Sequence, residues 1–135
     1  MYIEQAIKTH LLSKTALTTL VGQNIFYLGE VPQGVTEPYI VFFKVSTSRV
    51  HSYAGSSQLA TSRFQFSVFS DSYYEAKQIV EQLQVALQGV TGNIGDSPYV
   101  NVGAILYENE TDLYETETRL HHIAVDYMIT NTDNH

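Results

Sequence analysis

Arg63-Phe64-Gln65-Phe66-Ser67-Val68-Phe69-Ser70-Asp71-Ser72-Tyr73-Tyr74-Glu75-Ala76 changes its period half-way along. Phe64, Phe66 and Val68 alternate with Gln65 and Ser67, the two-residue period of a strand that buries one face, until Phe69 closes it. Ser70-Asp71-Ser72 then offers side-chain oxygens to a helix start, and Ser72 with Glu75 has the spacing of a capping box, worth roughly 1 kcal/mol. Beyond it Ala76, Ile79/Val80, Leu83 and Ala86/Leu87 recur at the helical period, with Gly89 as the stop. Burial of Ile79, Leu83 and Leu87 contributes on the order of 2 kcal/mol each. A strand that turns directly into an amphipathic helix needs other strands beside it and implies a sheet with a helical layer.

Upstream, Ile3, Ala6/Ile7, Leu11, Leu17 and Leu20/Val21 form a rough helical stripe closed by Gly22, which predicts one helix from Ile3 to Val21. Ile25 to Leu28 is a short apolar run, and Pro32 to Pro38 is too rich in Pro and Gly for regular structure. Tyr39 to Val45 reads as a strand, with Tyr39, Val41, Phe43 and Val45 on one face and Ile40 and Phe42 on the other. Because both faces are apolar, Ile40 and Phe42 are expected to face away from the helices and to be covered by a second layer or by a neighbouring subunit. Ser46 to Ser62, centred on Ser52-Tyr53-Ala54-Gly55, reads as a long protruding β-hairpin arm whose return begins near Leu59, with Arg49 and Arg63 beside it.

Downstream, Gly89 to Pro98 is a turn-rich link, Tyr99 to Tyr107 an alternating strand, Glu108 to Arg119 an acidic loop, and Leu120 to Ile129 the last strand. The sum is an α+β domain, a mainly antiparallel β-sheet with two helices packed on one face, in the order α-β-β-β-α-β-β. One domain is expected over residues 1–130, with 131–135 a flexible tail. A chain of 135 residues can bury about two thirds of the surface that it exposes when unfolded, enough for a core without covalent staples.

Composition narrows the function. With no cysteine, disulfides and thiolate metal sites are excluded. The first residues lack a basic leader followed by an apolar run, and no stretch approaches a membrane span, so the chain is expected to be soluble and made in the cytoplasm. The sequon Asn109-Glu110-Thr111 is then coincidental. Seven Lys and Arg against fourteen Asp and Glu, a net charge of -7, argue against a protein that grips nucleic acid, because phosphate affinity comes mainly from released counterions. An acidic wall suits a conduit better than a reader.

The sequence shows no reactive constellation. No two of His10, His51, His121, His122 and His135 have the i, i+4 spacing of a helical zinc site, and adjacent His121 and His122 point to opposite faces of a strand. Glu108, Glu110, Asp112, Glu115 and Glu117 lack the glycine and spacing of an EF-hand and read as a solvated loop. There is no Gly-x-Ser-x-Gly elbow, and Gly89, Gly92 and Gly95 follow a helix instead of joining a strand to one. Tyr27, Phe42, Tyr53, Tyr73, Tyr74, Tyr107 and Tyr114 fall at strand ends, loops or first turns, where aromatic side chains anchor protein interfaces.

The crossing from Gly34 into Phe43, the Phe64-Gln65-Phe66 strand followed by Tyr73-Tyr74-Glu75-Ala76, and the span from Asp112-Leu113-Tyr114-Glu115 to Asp126-Tyr127 together resemble the tail completion, or tail terminator, family of tailed bacteriophages. The likeness covers nearly the whole chain and rests on order and spacing. It implies a structural virion protein of the tail and neck with no enzymatic activity and no cofactor. It further implies a homo-hexameric ring on the head-proximal end of the tail tube, which stops tube polymerisation and joins tail to head. The implied partners are other copies of the chain, the tail tube protein and a neck or head completion protein. Genomic DNA would pass through the lumen unbound, and no membrane is involved.

Exposure and polarity nominate Ile40, Phe42, Arg49, His51, Tyr53, Asp112, Tyr114, Glu115 and Arg119 as subunit or partner contacts. Polar contacts of this kind are expected to leave the chain a monomer or weak oligomer in dilute solution. The alternatives are another neck component, such as a head closure or connector protein, and a small hydrolase or ligand-binding domain that uses His121 or His122 with the acidic segment.

Overall fold

The computed structural model describes residues 2–50 and 59–132. Its elements are α1 (Ile3–Leu12), α2 (Thr15–Val21), β1 (Ile25–Tyr27), β2 (Tyr39–Val50), β3 (Leu59–Ser70), α3 (Tyr73–Leu87), β4 (Gly92–Ile94), β5 (Val100–Glu115) and β6 (Leu120–Thr132). The strands form one sheet in the order β1-β2-β3-β6-β5-β4. β1 runs parallel to β2, and every other pair is antiparallel. This is the expected α+β class, with α3 packed over β3 and β6.

The expected first helix is two. The apolar stripe slips between Leu11 and Leu17, and the chain uses that slip to turn. The Ser13 hydroxyl donates to the His10 carbonyl at 2.6 Å, its backbone N–H reaches Thr9 O at 3.2 Å, and Lys14 is extended before α2 begins. Carbonyls left open at the end of α1 are thereby satisfied. His10 Nε2 lies 2.9 Å from Ala86 O and ties α1 to the end of α3.

At the β3–α3 junction the capping box has a third member. Glu75 N–H donates to Ser72 Oγ at 3.3 Å as expected, but the Glu75 carboxylate does not return to the Ser72 backbone. Instead the Ser72 N–H donates to Ser70 Oγ at 3.1 Å, and the Ser70 hydroxyl donates to Glu75 Oε1 at 2.7 Å. Ser70 is fully buried and joins the last strand residue to the first helical turn.

Register decides which face of the sheet meets the helices. Phe42 pairs with Phe66, and Phe66 with Val125, so Ile40 and Phe42 share a face with Phe64, Phe66, Val68, Ile123 and Tyr127. All of these pack with the helical stripes in one core. The expectation that Ile40 and Phe42 turn outwards is therefore reversed: both are 0% exposed, and Phe42 stacks on Phe66 at 5.4 Å and lies tilted against Tyr27 at 5.3 Å. The residues turned away from the helices are Tyr39, Val41 and Phe43.

Three boundaries also differ. β4 forms inside the link expected to be only turns, held in part by Asn101 Nδ2 donating to Asn93 Oδ1 at 3.2 Å. β5 continues through the expected acidic loop as far as Glu115, leaving only Thr116 to Arg119 as the turn into β6. β6 continues to Thr132, with Asn131 paired to Ala60, so the last strand extends into the expected tail. β2 and β3 pair out to Val50 and Leu59, and the expected hairpin tip lies outside the described residues.

Candidate functional site

The β5 extension carries side chains expected to lie in an acidic loop. On the helix side, Lys77 Nζ lies 2.8 Å from Glu110 Oε2 and 3.4 Å from Asp112 Oδ1. The Tyr73 hydroxyl donates to Asp112 Oδ2 at 2.6 Å, and Lys77 lies over the Tyr73 ring. Tyr114 and Tyr73 both pack against His121, at centroid distances of 4.8 and 5.5 Å. The Tyr73 hydrogen bond, with Lys77 behind it, holds the Asp112 carboxyl below its usual range, and the carboxylate in turn raises Tyr73. Glu110 above all raises Lys77, which stays charged. The cluster fastens α3 to β5 by two carboxylates around one ammonium, a charge-assisted arrangement at a partly wet surface.

On the opposite face an aromatic row crosses four strands. Phe26 on β1 meets Tyr39 on β2 at 6.4 Å, Tyr39 stacks on Phe69 of β3 at 5.0 Å, and Phe69 stacks on His122 of β6 at 4.3 Å. The register Tyr39↔Phe69↔His122 puts these rings directly side by side, where cross-strand aromatic pairs contribute most. Arg63 and Asp126 add an ion pair of 3.0 Å between β3 and β6 on this face.

His122 titrates under conflicting influences. Desolvation, the larger, lowers its pKa, while Glu115 at 3.9 Å raises it, and Nε2 is buried without a partner. The net shift is downward from 6.5, so the fold favours the neutral ring. Neutral His122 contributes stability that is fully present above the unfolded value and is lost as pH falls through the lower folded value. Thermal melting is expected to drop between pH 7 and pH 5, and His122→Gln to flatten that slope. A slope unchanged in the variant would show that other groups cause it.

None of this is catalytic geometry. His121 and His122 lie on opposite faces, and among the described residues no three His, Asp or Glu side chains gather where they could hold a metal ion. No helix of the described residues is long and apolar enough to cross a membrane.

The whole arrangement, including the β5 extension, falls within a match to a known family, described as Tail completion protein gp17, which spans residues 5–131. The chain belongs to the tail completion protein gp17 family. Membership makes it a structural protein of the virion tail and neck, and not an enzyme. The fold has a solved counterpart in a chain of the structure "Virion of native gene transfer agent (GTA) particle". The two superpose with a TM-score of 0.81 at 16% identity, over 97% of this chain and 95% of that one. No curated protein matches the chain in sequence.

In this tail completion protein the nominated contact residues separate into three groups. Ile40 and Phe42 are core and present no surface to a partner. Asp112, Tyr114, Glu115 and Arg119 gather at the end of the sheet where β5 turns into β6, and Arg119 holds the turn with a φ of 59°. Arg49, in register with Ala60 and thus with Asn131, lies at the other end, about 30 Å away by strand rise. His51 and Tyr53 lie outside the described residues. Sequence reading missed Tyr73 and Lys77 as partners of Asp112, and the aromatic row. The missed signal was the alternation of Glu110, Asp112 and Tyr114 with Thr111, Leu113 and Glu115, obscured by its charges.

Proposed function

We propose that this tail completion protein caps the head-proximal end of the tail tube as a homo-hexameric ring, stops tube polymerisation and offers the surface to which a neck protein joins the head. The observation that carries this reading is the family match over residues 5–131, nearly the full chain. Physical features support it. A net charge of -7 suits a lumen through which DNA slides without being held. Leu106, Tyr107, Leu113 and Tyr114 are large and exposed at two places along β5, apolar surface of the kind that a partner covers. The contact residues proposed to take part are Arg49, Asp112, Tyr114, Glu115 and Arg119.

Depletion of the chain during particle assembly tests the reading against the other neck role. Loss of a terminator yields tails of uncontrolled length. Tails of normal length that fail to attach to heads would instead identify a head closure or connector protein.

A further inference from the structure

The sheet ends in two half-covered edges. β1 pairs with β2 only at Ile40 to Phe42, and β4 pairs with β5 only at Val100 to Val102. Among the described residues, no strand pairs with the outer side of β2 from Phe43 to Val50, opposite β3, or with the outer side of β5 from Gly103 to Glu115, opposite β6. Long bare edges carry rows of unpaired N–H and C=O groups and are templates for another strand. The two edges differ in charge. β2 carries Lys44 and Arg49 and no carboxylate, whereas β5 carries Glu108, Glu110, Asp112 and Glu115 and no cation. The β5 edge also exposes Leu106 and Leu113, and the β2 edge Val45.

Resting on the ring reading above, we infer that neighbouring copies of this chain join edge to edge, the bare acidic edge of β5 in one copy pairing with the bare basic edge of β2 in the next. Within the chain β2 and β5 run in opposite directions, through the antiparallel steps β2–β3, β3–β6 and β6–β5. Copies related by rotation about an axis along the strands therefore bring the two edges together as an antiparallel ladder. The bare halves lie at diagonally opposite corners of the sheet, because β1 is level with Asp112 and β4 with Arg49 through the register. Neighbours are consequently offset along the strands, as tilted strands round a closed barrel are. The contact uses a different patch on each copy. Such a heterologous contact closes into a ring, and a like-to-like contact would stop at a dimer.

Charge reversal tests this with rings on tail tubes counted by electron microscopy. Ser46→Glu/Arg49→Glu takes the β2 edge from two positive charges to one negative, and Glu108→Lys/Glu115→Lys leaves the β5 edge with two added lysines beside the two carboxylates that Lys77 already pairs; circular dichroism checks that each variant is folded. Each double variant alone is expected to lower ringed tubes at least tenfold. Their equimolar mixture is expected to restore rings, since each altered edge then meets an opposite charge in alternating copies. Normal rings from both doubles, or loss without rescue in the mixture, would overturn the edge assignment and leave the ring standing. Absence of rings from the unaltered chain would overturn the ring reading and this inference together.

Discussion

Phe42→Ala is expected to lower the stability of the isolated chain by about 3–5 kcal/mol, the usual cost of truncating a buried aromatic ring. Phe42 is 0% exposed, stacked on Phe66 at 5.4 Å and tilted against Tyr27 at 5.3 Å. Removing its ring opens a cavity where β1, β2 and β3 meet under the helices, a position at which the surrounding rings cannot all collapse inwards. For a domain of ordinary stability, about 5–15 kcal/mol, the loss is a fifth or more of the total. A denaturant midpoint measured at two protein concentrations checks it. The shift should be the same at both, because the ring is packed within one copy. A variant of unaltered stability that only failed to assemble would return Phe42 to an interface.

Ser70→Ala is expected to cost about 1–3 kcal/mol although it removes a single oxygen. The hydroxyl accepts from the Ser72 N–H and donates to the Glu75 carboxylate, and its loss strands both groups beside a fully buried position. Glu75→Gln, which keeps an acceptor for the Ser70 hydroxyl, is expected to cost less. Thermal denaturation of the two variants should rank them in that order. Equal losses would mean that the Glu75 charge at the helix start matters as much as the Ser70 relay.

The β3–α3 block was legible because it obeys one period and then the other, with a cap between them. The faces of β2 were not. Tyr39, Val41 and Phe43 are as apolar as Ile40 and Phe42, so alternation marks two faces without saying which one meets the helices. That choice is made by pairing with β3, where Phe42 lies opposite Phe66. The nominated contact site fared similarly. Asp112, Tyr114 and Glu115 were found as exposed polar residues, but their density of charge hid the strand that carries them. Their partners Tyr73 and Lys77 lie more than thirty positions earlier in the chain and come near only when α3 crosses the sheet. Arg49, by contrast, belongs to a separate end of the molecule, a separation that no spacing in the sequence measures.

As proposed, the protein closes one end of a tail tube. Electron micrographs of the purified chain mixed with growing tail tubes test it most directly. A single ring is expected at one end of each tube, the end that faces the head, with no further elongation from that end. Protein scattered along the tube walls, or tubes that continue to lengthen past a bound ring, would contradict it.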